Sequence, residues 1–176
     1  MKGGPLHHAR SSKWVECLGS AFDQRLKSDS VHVLCKSSSK ARGQFGLNEL
    51  LFDVCIFRAG KTQAARGKQL SYVAEPLWAI ESELARDSGQ AIKDFNKLVL
   101  ASAPNKLFVG PADVSKAYLD ALLAPANACS GSVWVALVPH PDGWYPSLER
   151  RHSSGSIALW KLVNQQWRAV IRSVTE

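Results

Sequence analysis

Residues 132–139 read Ser-Val-Trp-Val-Ala-Leu-Val-Pro, and everything between the Ser and the Pro is apolar. Side chains alternate across a strand, so Val133, Val135 and Leu137 point one way and Trp134, Ala136 and Val138 the other. Both faces then need cover, as in a central strand of a sheet with helices on each side. The run is far too short to span a bilayer, which takes about 20 apolar residues in a helix. The basic start, Met1-Lys2-Gly3-Gly4-Pro5, is followed by no apolar signal core before Trp14. The expectation is a soluble, cytoplasmic α/β protein with no membrane partner.

The rest of the chain supplies cover and neighbours. Trp14, Leu18, Ala21/Phe22 and Leu26 recur at the spacing of one helix face and predict a helix over about 13–27, preceded by a flexible basic segment at 1–12. Val31–Cys35 predicts a short strand, and residues 36–46 a polar loop. Residues 47–57 are almost uncharged and β-rich, 58–69 read as a basic loop, and 72–84 as a further strand entered near Pro76. Ala91, Ile92, Phe95, Leu98 and Val99 form a helical stripe over about 89–102. Residues 105–110 predict a strand, and Val114, Tyr118, Leu119 and Leu122 a helix stopped by Pro125. A Pro/Gly/Asp loop at 140–155 leads to a closing hairpin, 157–163 and 167–171, around Asn164-Gln165-Gln166. This order predicts a single domain over 13–176 whose sheet starts antiparallel and continues through parallel crossovers.

Charge narrows the partners. The net +7 lies wholly in residues 1–74, which hold 12 basic and 5 acidic side chains, whereas residues 75–176 hold 10 of each. Lys36, Lys40 and Arg42 form one basic group and Arg58, Lys61, Arg66 and Lys68 another, both in segments able to track a phosphate backbone. A solubilising surface is the other reading of the same charge. The four cysteines have no CxxC pairing and the five histidines no zinc-site spacing, so no structural zinc is expected. Cys35 and Cys55 sit in apolar contexts, as small hydrophobes do. Gly60-Lys61-Thr62 lacks the glycine that a phosphate-binding loop requires, Ser37–Lys40 has no helix to present it, and no G-x-S-x-G elbow exists. Trp134, Trp144, Trp160 and Trp167 read as core or hairpin residues, with Trp144-Tyr145 the aromatic pair best placed near a ligand.

The carboxylates carry the chemistry. Alternation through residues 48–57 sets Leu50, Phe52, Val54 and Ile56 on one apolar face that must pack on a helix, and turns Asp53 to the other side with Glu49. An Asp within such a strand is costly unless something compensates it. In Ile80-Glu81-Ser82-Glu83, Glu81 and Glu83 share a face roughly 6.7 Å apart. Asp53, Glu81 and Glu83 on neighbouring strands would form a repulsive patch unless a hard cation or a basic residue joins them, and all-oxygen ligands favour magnesium or manganese. Pairing with Arg58 or Lys97, with no metal, is the alternative.

Leu51-Phe52-Asp53-Val54 followed by Ile80-Glu81-Ser82-Glu83 resembles the paired motif strands of the PD-(D/E)xK nuclease superfamily. Its restriction-endonuclease-like fold has a central mixed sheet with an αβββαβ core. The resemblance extends over roughly residues 13–140, through the helix at 91–103 and the strand at 106–109. It implies a metal-dependent nuclease that hydrolyses DNA, with Asp53, Glu81 and the backbone carbonyl of Ser82 holding magnesium or manganese. The family's motif Lys is replaced by Glu83, an E-x-E variant that leaves Glu83 as ligand or base and requires a cation from elsewhere. Lys97, off the apolar stripe and three residues after Asp94, is the candidate, although an i,i+3 pair with Asp94 explains it equally. Glu49 and Glu16 are additional carboxylates, Glu16 lying opposite its helix's apolar face. The second function class is the same fold without catalysis, a nucleic-acid-binding or protein-interaction module. A homodimer or a protein partner is compatible with either.

Overall fold

The computed structural model describes residues 5–26, 30–35, 45, 50–140 and 157–171, with side chains from residue 11 onward. Lys36, Lys40, Arg42, Glu49, Trp144 and Tyr145 lie outside the described residues. Helix α1 (Pro5–Arg25) leads into β1 (Val31–Cys35), β2 (Val54–Gln63) and β3 (Gln69–Ser82). Then follow α2 (Ser88–Val99), β4 (Asn105–Pro111), α3 (Lys116–Ala128), β5 (Ser132–Val138), β6 (Ala158–Val163) and β7 (Gln166–Ile171). The described strands form one seven-stranded sheet in the order β1-β2-β3-β4-β5-β6-β7. β1, β2 and β3 are antiparallel, β3, β4 and β5 parallel, and β5, β6 and β7 antiparallel. The α/β class, the antiparallel start, the parallel crossovers and the terminal hairpin are those the sequence leads one to expect.

One face of the sheet packs on α1. Val15 of the helix meets Cys35, Val54, Ile56, Ile80 and Val109, so the apolar face of β2 is covered by a helix as expected. Gly19 brings the two layers together: a Cβ there would lie 2.6 Å from Cys35 Sγ. The other face packs on α2 and α3, where Phe95, Leu98, Leu119 and Leu122 close over Ala79, Phe108, Val133 and Val135. β5 is buried on the face of Val133, Val135 and Leu137, whereas on the other face Val138 is buried and Trp134 and Ala136 are half-buried. Among the described residues no helix is long and apolar enough to cross a membrane.

Several boundaries differ from those expected. α1 begins at Pro5, not at residue 13; proline suits a first helical turn because its missing N–H has no intrahelical partner there. α3 runs through Pro125, which falls in its last turn and removes a single hydrogen bond. Residues 51–53 are bent backbone and β2 starts only at Val54, so Leu50 and Phe52 do not continue its face but pack with Leu34, Cys55 and Phe57. Most of 58–69 is strand rather than loop: β2 continues to Gln63, the chain turns over Ala65–Gly67, and β3 begins at Gln69.

Lys106 is fully buried in β4. Its Nζ donates to the carbonyls of Ala103 (2.7 Å) and Ser130 (2.6 Å), clasping the chain before β4 to the chain before β5. Burial lowers its pKa. Gly131 follows at φ +76, where an added Cβ would overlap the Pro104 carbonyl oxygen.

Candidate active site

Val54 pairs with Ile80, which sets Asp53, just before β2, across from Glu81 near the end of β3. Ile80 faces α1, whereas Glu81 shares the opposite face with Ala79 and lies under α2. Asp53 Oδ2 accepts the Ser82 backbone N–H at 2.9 Å. That bond fixes the Asp53 carboxylate at the mouth of the β2–β3 pair and answers the question of what compensates it. Glu81 is 1% exposed, an extreme burial for a carboxylate.

Lys97 reaches back from the last turn of α2. Its Nζ donates to Glu81 Oε2 at 3.0 Å and stands 2.8 Å from Asp94 Oδ1. The two expectations for Lys97, a cation folded over the carboxylates and an i,i+3 partner of Asp94, are thus both met. The sequence builds this arm simply: Ala91, Phe95 and Leu98 bury one stripe of α2, and Asp94 and Lys97 flank it. Asp87 caps the helix, accepting Gly89 N–H at 2.9 Å.

The electrostatics follow from burial. Desolvation and then the Asp53 charge push Glu81 up to about 8, although the Lys97 ammonium opposes them. Desolvation acts to lower the Lys97 pKa, but its hydrogen bonds to Asp94 and Glu81 outweigh that and raise it overall. Lys97 stays a cation across the physiological range. Glu81 Oε1 is buried without a hydrogen-bond partner among the described residues. A buried carboxylate oxygen left so is costly unless a proton or a cation serves it.

The remaining candidates disperse. β3 ends at Ser82, so Glu83 lies beyond the alternation that would pair it with Glu81; its Oε1 accepts Ala85 N–H at 2.7 Å, and its own N–H donates to the Val109 carbonyl. Glu16 pairs with Lys13 at 2.8 Å on α1, the helix that covers the sheet face opposite Glu81. Arg58 pairs with Glu75 at 3.1 Å, away from the carboxylates. Lys61, Arg66 and Lys68 are exposed along the far end of the β2–β3 hairpin. Among the described residues no three of His, Cys, Asp and Glu gather into a metal-binding group.

Sequence reasoning missed Tyr118 as a polar group near Glu83. Its buried hydroxyl has no partner among the described residues and would lie 3.1 Å from a Cβ on Gly110. Burial, with the charges of Glu83 and Asp87, raises its pKa. In the sequence it is one more apolar position of α3, and only the placement of that helix brings it near Glu83. No family model matches the sequence, and no curated protein and no solved structure matches it either.

Proposed function

We propose that the protein is a metal-dependent nuclease of restriction-endonuclease-like architecture that hydrolyses DNA phosphodiester bonds. The observation that carries this reading is Glu81, a buried carboxylate beside Asp53 with one oxygen held by Lys97 and the other unpartnered among the described residues. The element order supports it. A helix, an antiparallel three-strand meander, a crossover helix and a parallel strand follow the αβββαβ core that the sequence resemblance implies.

The donors fit a hard divalent cation, magnesium or manganese. Two carboxylates on facing strands raise each other's energy, and a cation at the unpartnered Glu81 oxygen relieves both the repulsion and the desolvation. Asp53 and Glu81 would hold the ion with the carbonyl of Ser82. When bound, it supplies Lewis-acid polarisation of the phosphate and an acidified water. Lys97 supplies the positive charge that Glu83 does not. It remains protonated and stands beside Glu81, where negative charge on the phosphate grows. Glu83 serves as further ligand or base once its carboxylate turns from Ala85.

A second reading, the same fold as a binding module without catalysis, is favoured by one observation. The Glu83 carboxylate is already used as a local cap on Ala85. Incubation with magnesium and linear, circular and single-stranded DNA separates the two. Cleavage is expected, with Lys97→Met lowering turnover by about 100-fold, the scale for removing one electrostatic stabiliser. Magnesium and DNA binding with no cleavage of any form would refute the nuclease and leave the binding module.

A further inference from the structure

The β2–β3 hairpin outgrows its sheet. β1 pairs with β2 only as far as Val31↔Arg58, and β4 pairs with β3 only from Trp78↔Asn105 onward. Beyond those points five cross-strand pairs, Ala59↔Val73 to Gln63↔Gln69, continue as a two-stranded ribbon about 17 Å long at the usual strand rise. Its root is closed by the Arg58–Glu75 ion pair. From residue 59 to residue 74 there is no Asp or Glu, while Lys61, Arg66 and Lys68 are exposed.

The two faces of the ribbon differ. Residues directly opposite share a face, so Lys61 with Ser71 and Gln63 with Gln69 form a hydrogen-bonding face. Gly60 with Tyr72 and Thr62 with Leu70 form the other, and Leu70 and Tyr72 are 42% and 48% exposed. At the tip Arg66 takes φ +71 and Gly67 φ +76. The left-handed region disfavours an arginine, so a long cation is held there at some cost to the backbone.

We infer that this ribbon is a DNA-reading arm that enters the major groove of a B-form duplex, with Lys61, Gln63, Gln69 and Ser71 toward the base edges and Arg66 and Lys68 on phosphates. The major groove, about 12 Å wide, admits a two-stranded ribbon, and lysine and glutamine are suited to guanine and adenine edges there. The deep, narrow major groove of A-form RNA does not admit it. The acid-free charge favours a polyanion over a protein surface. The arm rests on the nuclease reading for its choice of DNA and narrows that reading to duplex DNA. It lies at the opposite end of β2 and β3 from Asp53 and Glu81, so it can be tested without cleavage.

The test is fluorescence anisotropy in EDTA, with labelled 24-mer duplex DNA, the matching duplex RNA and single-stranded DNA, across a series of salt concentrations. Duplex DNA is expected to bind at least tenfold tighter than duplex RNA. Arg66→Gly with Lys68→Ala should flatten the log–log salt slope by about 0.9 per lost phosphate contact. Gln63→Ala with Gln69→Ala should leave the slope and lessen discrimination among duplex sequences. All four positions are exposed and Arg66→Gly relieves a left-handed φ, so a melting temperature at or above that of wild type confirms that the variants fold. Equal affinity for duplex RNA, an unchanged salt slope, or a ribbon-dependent dimer in sedimentation in place of DNA binding would each overturn the arm. A separate magnesium cleavage assay judges the nuclease: duplex binding through the ribbon with no cleavage removes the nuclease and keeps the arm, whereas cleavage indifferent to every ribbon variant does the reverse.

Discussion

Replacing Glu81 with glutamine should stabilise the metal-free protein by an amount that grows as pH rises from about 4.5 to about 8. In the unfolded chain Glu81 ionises near 4.5, whereas in the folded protein burial and Asp53 hold it up to about 8. A carboxyl whose folded pKa is raised gives its full stability below the unfolded value and loses it as pH climbs through the folded one. Wild-type stability should therefore fall between about pH 4.5 and pH 8 and level off above. Glutamine keeps an oxygen for Lys97 and places an uncharged amide toward Asp53, so Glu81→Gln carries no such loss. The whole shift converts to a ceiling of about 5 kcal/mol. Lys97 is 37% exposed and solvent screens its part of the balance, which brings the expected gain at pH 8.5 to about 2–3 kcal/mol. Chemical denaturation in EDTA at pH 4 and pH 8.5 measures it. Equal stability at pH 4 and a stabilised variant at pH 8.5 are expected. Destabilisation of Glu81→Gln at pH 8.5 would show that the Lys97–Glu81 pair outweighs desolvation and refute the argument. Added magnesium should stabilise wild type at pH 8.5, where Glu81 gives up its proton readily, and leave Glu81→Gln nearly unmoved.

Asp53→Ala strands the Ser82 N–H and should cost about 1–3 kcal/mol in a urea melt, whereas Asp53→Asn keeps an acceptor and should cost less than half of that. If both variants melt together, the amide bond is not what fixes Asp53. The β6–β7 turn places Asn164 and Gln165 at φ +50 and +62, a two-residue hairpin turn that prefers glycine second; Gln165→Gly should raise stability by about 0.5–1 kcal/mol, read by thermal unfolding. Gly131→Ala combines a positive φ with backbone overlap at Pro104 and should cost about 2 kcal/mol or more. An alanine variant that melts like wild type would refute the close approach of residue 131 to the Pro104 carbonyl.

What could be read in the sequence was whatever the core enforces. β5 shows its apolar run because Val133, Val135, Leu137 and Val138 must be buried, and α2 shows its stripe because Ala91, Phe95 and Leu98 must be. The 58–69 part of the ribbon is not legible because it leaves the core: residues 58–69 carry no apolar alternation, and a composition of Gly, Ala, Gln and cations reads as loop. Only the pairing of one arm with the other makes them strands. At the site, Asp53, Glu81 and Lys97 were legible as residue types at suitable spacing. Glu83 was not, since alternation holds only to Ser82, where the strand stops and the next side chain turns to a local amide. The Asp53–Ser82 bond depends on register, which neither strand reveals alone.

Strand order in the sheet is also strand order along the chain. Among the described strands no ladder has to wait for a later segment to be threaded between two earlier ones, so sheet growth can proceed from one edge as the chain leaves the ribosome. The β1–β3 meander, with Asp53 and Glu81 already facing each other, needs no crossover to close; β4 and β5 are each delivered by a single helix. Local hairpins followed by single crossovers lower the loop-closure cost that slows long-range strand pairing. Removing β6 and β7 would uncover the core where Trp160, Leu162 and Trp167 pack and break the Trp167 bond to the Leu119 carbonyl, yet β2 and β3, which carry the carboxylates, would keep every strand partner they have.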